Sequence, residues 1–492
     1  PIDAVWGAQR PAPPCGSVRV HPMTLAGKSA LDKLGELKRA ARSRHIRAVL
    51  LSALDEVAWT LNVRGSDIEQ CQTVVGYLLI EVETSEHADE TGTDSVTWFV
   101  DHQKLVRSVD DVSAHLSASQ VSIKAYEDVI STLAALAAKF ADNAGAWLWC
   151  DPATTSVAVV NAAGGEERVL LESTPVPLWK AVKNCNELEG IRAAHVCDGA
   201  ALCKFLAWLS ARACAASRSD NRSVIDESGE LLNEYTLGER LLEFRRASDA
   251  FVATSFDTIA GSGPNGAVIH YRAERSTARS IVSDELLLID SGAQYVNGTT
   301  DITRTVMLGE PNEDIRTCFT RVLQGHIALE SAVFPRGTTG LTLDAFARMP
   351  LWRDGLDYRH GTGHGVGAAL NVHEGPQSIS ARATANAVAL QPGMIVSNEP
   401  GYYRDGAFGI RIESIVEVVE AQTEHRFGDR EYLTFSNITY APIQTNLIRQ
   451  ELLSVAERSW LNMYHEKVRG TLLNLMDTEE QRAWLNAATE PI

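Results

Sequence analysis

Two aspartates stand where strand-forming sequence disfavours them. Asp290 ends an apolar run, residues 286–289, and Asp301 lies inside a β-rich run, residues 299–306. Asp is depleted in strands, so neither reads as a simple turn former. Between them lies Asn297-Gly298, a hairpin signal. With a two-residue turn there, Asp301 faces Gln294, which shares the parity of Asp290, and both carboxylates project from one face of the sheet. They would still be separated along it by roughly 13 Å, at about 3.3 Å per residue, so sharing one ion demands a bulge or a strong twist. Such a pair is either solvated on an outer face or part of a metal site.

Three further stretches add groups of the same kind. RHGTGHGVG, residues 359–367, sets His364 among glycines that let the backbone approach something closely, and His373 follows in NVHEG. Glu399 ends an apolar strand stopped by Pro400, and Glu413 sits in the middle of the alternating strand FGIRIES. Asp290, Asp301, His364, Glu399 and Glu413 together make an oxygen-rich ligand set. That set suits manganese or cobalt better than a Cys/His zinc site, with zinc as the remaining candidate. Two divalent ions roughly 3.5–4 Å apart would offset the carboxylate charge and leave room for a bridging hydroxide. His373-Glu374 does not open a zincin motif, because Gln377 stands where the second histidine belongs.

The elements that must carry these groups follow from periodicity. Residues 25–53 read as an amphipathic helix leading into the apolar strand AVLLSAL, and strands then alternate with helices through AWLWCD. This predicts a small α/β domain with a partly parallel sheet. Its only gathered charges, Asp55, Glu56, Arg64 and Asp67, read as solvated loop charge. TPVP, residues 174–177, punctuates a boundary. The expected organisation is a linker over 1–20, a non-catalytic α/β domain over 21–175 and a catalytic α+β domain over 176–492.

In the second domain a long helical pattern covers residues 178–214, with His195 and its cysteines as core or face residues. Thr236 opens the next helix with a capping box. A glycine-rich turn leads into a strand ending near His270. Gly261 and Gly266 have phosphate-loop spacing, but Ala267 occupies the lysine position, so a nucleotide loop is rejected.

Composition limits the remaining classes. A net charge of −18 argues against nucleic-acid binding. No apolar run approaches the roughly 18 residues a membrane span needs, so no membrane partner is expected. Eight scattered cysteines without paired spacing fit a reducing, cytoplasmic setting. Asn221, Asn297 and Asn437 open N-x-S/T triplets that read as chance, and residues 83–94 as an acidic surface loop.

GPNGAVIHY, LIDSGAQY, GTTDITRT, HGTGHGVG, NVHEGP, EPGYY and GIRIE, in that order, resemble the pita-bread metallopeptidases, and among them the aminopeptidase P (X-prolyl aminopeptidase) family of the cytosolic eukaryotic type. The resemblance implies a creatinase-like N-terminal α/β domain followed by a pita-bread catalytic domain. An upstream first domain of the family would be absent, with residues 1–14 as the link from it. The implied activity is removal of an N-terminal residue that precedes proline.

Carried over by residue, Asp290 holds one metal, Asp301 and Glu413 bridge two, and His364 and Glu399 hold the second. His270, His373 and Glu399 are the implied catalytic groups. His360 lines the proline pocket, and His364, Tyr403 and Arg411 complete the substrate-facing set. The implied partners are peptides with proline second and a second copy of the chain, with Trp352 on a surface turn as a candidate dimer contact. The alternatives are an Xaa-Pro dipeptidase (prolidase) on the same fold and a metal-free binding module.

Overall fold

The computed structural model describes residues 2–83, 94–108, 111–141, 145–217, 222–382 and 387–492. Asn221 and most of the acidic stretch at 83–94 lie outside the described residues. The chain forms two compact units, Pro1–Lys180 and Ala181–Ile492. The division falls a few residues beyond the prolines at 175 and 177, inside the short helix Val176–Ala181.

Unit 1 is built on a six-stranded mixed sheet in the order Ser122–Lys124, Ser95–Val100, Gly76–Glu81, Ala48–Leu51, Leu148–Cys150 and Val169–Leu171. The outer pairings at both ends are parallel and the central ones antiparallel. This is the partly parallel sheet expected. Ala30–Ser43 is the amphipathic helix, capped by Ser29, which accepts from the Asp32 amide at 3.1 Å. Its face buries Leu34, Leu37 and Ala41.

The segment expected to be linker is partly structured. Ile2–Trp6 is helical, and Val18–Val20 pairs with Val63–Gly65. The gathered charges of unit 1 are not solvated either. Glu56 and Arg64 are buried, and Asp67 accepts from the Gly16 and Val75 amides at 2.8 and 2.7 Å. Each found internal partners, which periodicity alone does not reveal.

Unit 2 sets a six-stranded antiparallel sheet beside smaller ones. Its order is Phe334–Pro335, Tyr432–Asn437, Ser414–Ala421, Ile395–Asn398, Gly363–Gly365 and Glu374–Ile379. A three-stranded antiparallel sheet joins Ile259–Ser262, Leu286–Ser291 and Ile302–Met307. Helices Cys185–Ser217, Glu313–Glu330 and Val455–Leu472 bury Phe205, Phe319, Val322 and Leu461 in the cores around these sheets. His195 is buried, its Nδ1 2.9 Å from the Ile191 carbonyl, as a core residue should be.

Three local expectations are corrected. The helix Glu234–Arg246 is capped by Asn233, and Thr236 is the reciprocating third residue of the box rather than its start. His270 lies in a turn beyond the 3-10 segment Gly263–Ala267, not at a strand end. Trp352 is the last residue of the helix Gly340–Trp352 rather than part of a turn.

The aspartate hairpin is the element that matters most. Gln294 pairs with Thr299 and Tyr295 with Gly298, so the turn is Val296-Asn297, one residue earlier than the Asn-Gly signal implied. Asp290 pairs with Thr303 and Ser291 with Ile302, which puts Asp301 across from Gly292 instead of Gln294. The two aspartates therefore come within about two residues of each other along the sheet, and no bulge is needed to bring them together. Gly298 is used for packing: a Cβ there would lie 2.8 Å from the Ala194 Cβ and 3.0 Å from the Ile191 Cα of the long helix.

Candidate active site

Four separate elements deliver the acidic groups. Asp290 is carried by the Leu286–Ser291 strand, and Asp301 precedes Ile302–Met307. Glu399 lies just past the Ile395–Asn398 strand. Glu413 occupies the break between Phe408–Arg411 and Ser414–Ala421, not the middle of one strand. His364 sits where the Gly363–Gly365 strand shifts register against Glu374–Ile379.

These residues converge. Ligand atoms of Asp290, Asp301 and Glu413 lie within 4.8 Å of one another, as do those of His364, Glu399 and Glu413, and those of Asp301, His364 and His373. His364 Nε2 is 3.4 Å from Asp301 Oδ2 and 3.6 Å from Glu399 Oε1.

A second layer of bonds fixes each group. Arg411 donates to Asp290 Oδ2 at 2.6 Å, to the Thr303 hydroxyl at 3.0 Å and to Tyr403 OH at 2.7 Å. Thr303 Oγ1 donates to Glu413 Oε2 at 2.7 Å. Ser397 Oγ donates to Glu399 Oε1 at 3.1 Å and accepts from the His364 amide at 2.9 Å. His364 Nδ1 is 2.9 Å from the Gly365 carbonyl, which leaves Nε2 for the cluster. His360 Nε2 is 2.8 Å from Tyr403 OH.

The electrostatics are those of a site short of positive charge. Burial, reinforced by neighbouring carboxylates, raises the Asp290 and Glu413 carboxyls and pushes Asp301 up to about 7. Burial lowers the His364 imidazole, but Asp301 and Glu399 outweigh it and raise the group to about 9. His373 moves the other way, down to about 4, through burial and the neighbouring His364.

Two observations test whether these residues fit divalent metal. Among the described residues Asp290 Oδ1 is buried with no hydrogen-bond partner, an orphan acceptor that a cation would satisfy. The converging donors are also hard oxygens with one imidazole, matching the ligand chemistry of a divalent ion rather than a second arginine. The residues fit.

The cluster floors a cavity of ≈430 Å³. Asp290, Asp301, His360, His364, His373, Glu399, Arg411 and Glu413 line it, with His270 at its rim. Tyr403 reaches it only through Arg411 and His360. Of the expected site residues all but Tyr403 thus line one cavity. Sequence reasoning missed Thr303 and Ser397, each two residues from a presumed ligand and so on the same strand face, a signal that was available. It also missed the walls Phe256, Ile259, Ile269, Tyr271 and Arg272, which no local pattern marks.

The comparisons agree with the geometry. Residues 189–420 match the model of metallopeptidase family M24, residues 9–187 the Creatinase/Prolidase N-terminal domain, and residues 431–492 the C-terminal region of peptidase M24. Fold and cluster thus define the class: a creatinase-type N-terminal domain followed by the pita-bread domain of an M24 metallopeptidase.

Aminopeptidase P2 of Arabidopsis thaliana is 43% identical across 100% of this chain and 68% of its own length. A probable Xaa-Pro aminopeptidase P of Aspergillus flavus is 42% identical, with 100% and 71% covered. The crystal structure of X-prolyl aminopeptidase from Caenorhabditis elegans, described as a cytosolic enzyme with a di-nuclear active site, superposes with a TM-score of 0.88 at 34% identity. It covers 100% of this chain and 75% of that one. The chain belongs to the aminopeptidase P family.

Proposed function

We propose that this chain is a metallo-aminopeptidase that hydrolyses the bond between an N-terminal residue and a following proline. The observation that carries the reading is the convergence of Asp290, Asp301, His364, Glu399 and Glu413 on the floor of one cavity, in a chain of this family. We assign Asp290 to one metal, Asp301 and Glu413 to both, and His364 and Glu399 to the other. Manganese fits the oxygen-rich set best, ahead of cobalt and zinc. When bound, the pair of ions would supply positive charge and an acidified water at the scissile carbonyl.

The chain's own groups do the rest. Arg411 ties down one oxygen of Asp290 and leaves the other facing the cluster. Thr303 orients Glu413, and Ser397 holds Oε1 of Glu399, leaving Oε2 to accept a proton from the attacking water. His373, kept neutral, offers an N–H to the carbonyl oxygen as charge develops there. His270, at the exposed rim, returns a proton to the departing proline nitrogen. His360, steadied by Tyr403, forms the wall against the proline ring.

The assay is direct. An Xaa-Pro-Pro tripeptide and an Xaa-Pro dipeptide are offered to manganese-loaded protein. Release of the first residue from the tripeptide, with the dipeptide resistant, supports the reading. Cleavage of the dipeptide alone makes the chain a dipeptidase. Neither cleaved, with no metal retained, makes it a binding module.

Two coarser properties belong to the same proposal. Phe346, Met349 and Trp352 project half-exposed from the helix Gly340–Trp352, Trp352 being 50% exposed. They supply an apolar face for a homodimer. Trp352→Glu should convert dimer to monomer on size-exclusion chromatography, and unchanged elution removes the residue from the interface. A cytoplasmic location is supported by eight free thiols. Among the described residues no helix is long and apolar enough to cross a membrane.

A further inference from the structure

Among the described residues His270 makes no side-chain hydrogen bond, so the backbone of its loop must place it. That loop runs from the end of the Ile259–Ser262 strand to Arg279 and carries Ile269, His270, Tyr271 and Arg272 to the cavity.

Its base closes on one buried carboxylate, Glu234, the first residue of the helix Glu234–Arg246. Glu234 Oε1 accepts from the Ser262 amide at 2.8 Å, where the loop leaves the sheet. Oε2 accepts from the Arg279 amide at 2.8 Å, where it returns. Between these ends, Asn265 Nδ2 donates to both oxygens at 3.0 Å and Tyr271 OH donates to Oε2 at 2.6 Å. The main chain reinforces the closure, with the Glu234 amide donating to the Arg279 carbonyl at 3.0 Å.

A second carboxylate spans the same two ends, but through side chains rather than main-chain amides. Glu285 takes the Arg279 guanidinium at 2.8 Å and the Ser262 hydroxyl at 3.1 Å, from a partly exposed position. Gly409 packs so tightly on the Gly266 carbonyl that a Cβ there would collide with it.

From this we infer that Glu234 is a positioning residue for the proposed hydrolysis: it clamps residues 262–279 and thereby sets the place of His270, 36 residues along the chain. The chemistry requires a carboxylate. All its partners are donors, and two acceptor oxygens satisfy them. An amide at 234 keeps one acceptor and turns an N–H₂ against groups that now donate to the carboxylate. The position at a helix N-terminus favours the negative charge further.

The inference rests on the role proposed for His270, so the test is a cycle with two readouts. Glu234→Gln should lower kcat about 10- to 100-fold, with metal content unchanged and KM moved less than about threefold. In a His270→Ala background the same substitution should cost less than about twofold, because its effect passes through the histidine. An equal loss in both backgrounds, or none in either, overturns the assignment. Should Glu234→Gln fail to fold, Asn265→Ala removes the bond to both oxygens without touching the cavity, and should show a smaller loss with the same dependence on His270.

Hydrogen exchange reads the clamp without any substrate. Amides of 262–279 should exchange at least about tenfold faster in Glu234→Gln, while those of 286–307 do not change. Unaltered exchange in the loop refutes the clamp. Were the wild-type protein to cleave no Xaa-Pro peptide while Glu234→Gln still accelerated the exchange, the functional reading would fall and the clamp would stand.

Discussion

Both units bury ionisable side chains in pairs, as with Arg245 and Asp198 of unit 2 at 2.8 Å, but one cluster of unit 2 is compensated differently. In unit 1 Asp67 meets Lys104 Nζ at 2.6 Å and Asp55 meets Lys180 at 2.8 Å. Lys33 donates to the Trp59 carbonyl and to Asn62 Oδ1, both at 2.8 Å. Glu56, without a basic group of its own, sits 3.4 Å from the Thr174 hydroxyl and is pushed up to about 8 by burial and by Asp55. Every buried charge there has a local answer, or the group keeps its proton.

In the site of unit 2 four carboxylates gather around Arg411 and His364, and among the described residues Asp290 Oδ1 has no hydrogen-bond partner. Charge that is balanced serves folding. Charge left in surplus marks a place where something positive is bound.

The contrast can be broken at either end. Its largest expected effect is on turnover: Asp301→Asn or Glu413→Gln should lower kcat/KM by about 10³-fold or more, since each group is assigned to both ions. Near-normal activity with two metals still bound would end the bridging assignment. Chelation should lower the melting temperature of unit 2 and leave unit 1 unmoved, because only the surplus carboxylates lose a partner. Calorimetry with the units resolved checks this.

Lys104→Met leaves Asp67 buried against two amides and no cation. Denaturant unfolding should show unit 1 destabilised by about 3–5 kcal/mol, with the Xaa-Pro activity of the remaining folded protein unchanged. Thr303→Val keeps every carboxylate and removes one hydroxyl, so metal affinity should fall about 10- to 100-fold, as a titration with manganese would reveal.

Glu56 gives the clearest sign. Its folded pKa lies above its unfolded one, so the folded state holds a proton the unfolded chain has lost between about pH 4.5 and 8. Stability from this group is complete below that window and declines as pH rises through it, by at most about 1.4 kcal/mol per pH unit. Glu56→Gln should flatten the slope of unit 1 stability between pH 5 and 8, and an unaltered slope would mean that Glu56 ionises normally.

How much of this could be read from sequence depends on how far apart the partners lie. Asp290, Asp301, Glu399 and Glu413 announce themselves because each is a carboxylate in a strand pattern that repels it. The hairpin register does not, because Asn297-Gly298 is a turn signal on its own and a packing site in context. The close approach of Ile191 and Ala194 to Gly298 draws the glycine into the strand pair and moves the turn back one residue. Glu234 is silent for a similar reason, since its partners stand 28 to 45 residues away in sequence. Misreading unit 1 charges as solvated has the same origin: Asp67 and Lys104 are adjacent only after folding.

The seat of Gly298 against the long helix has a medical-geneticist's kind of consequence. A single extra methyl at that spot would act as a wedge driven between helix and hairpin. It would slip the pairing on which the spacing of the two aspartates depends, and so cripple the enzyme from a residue that never meets a substrate.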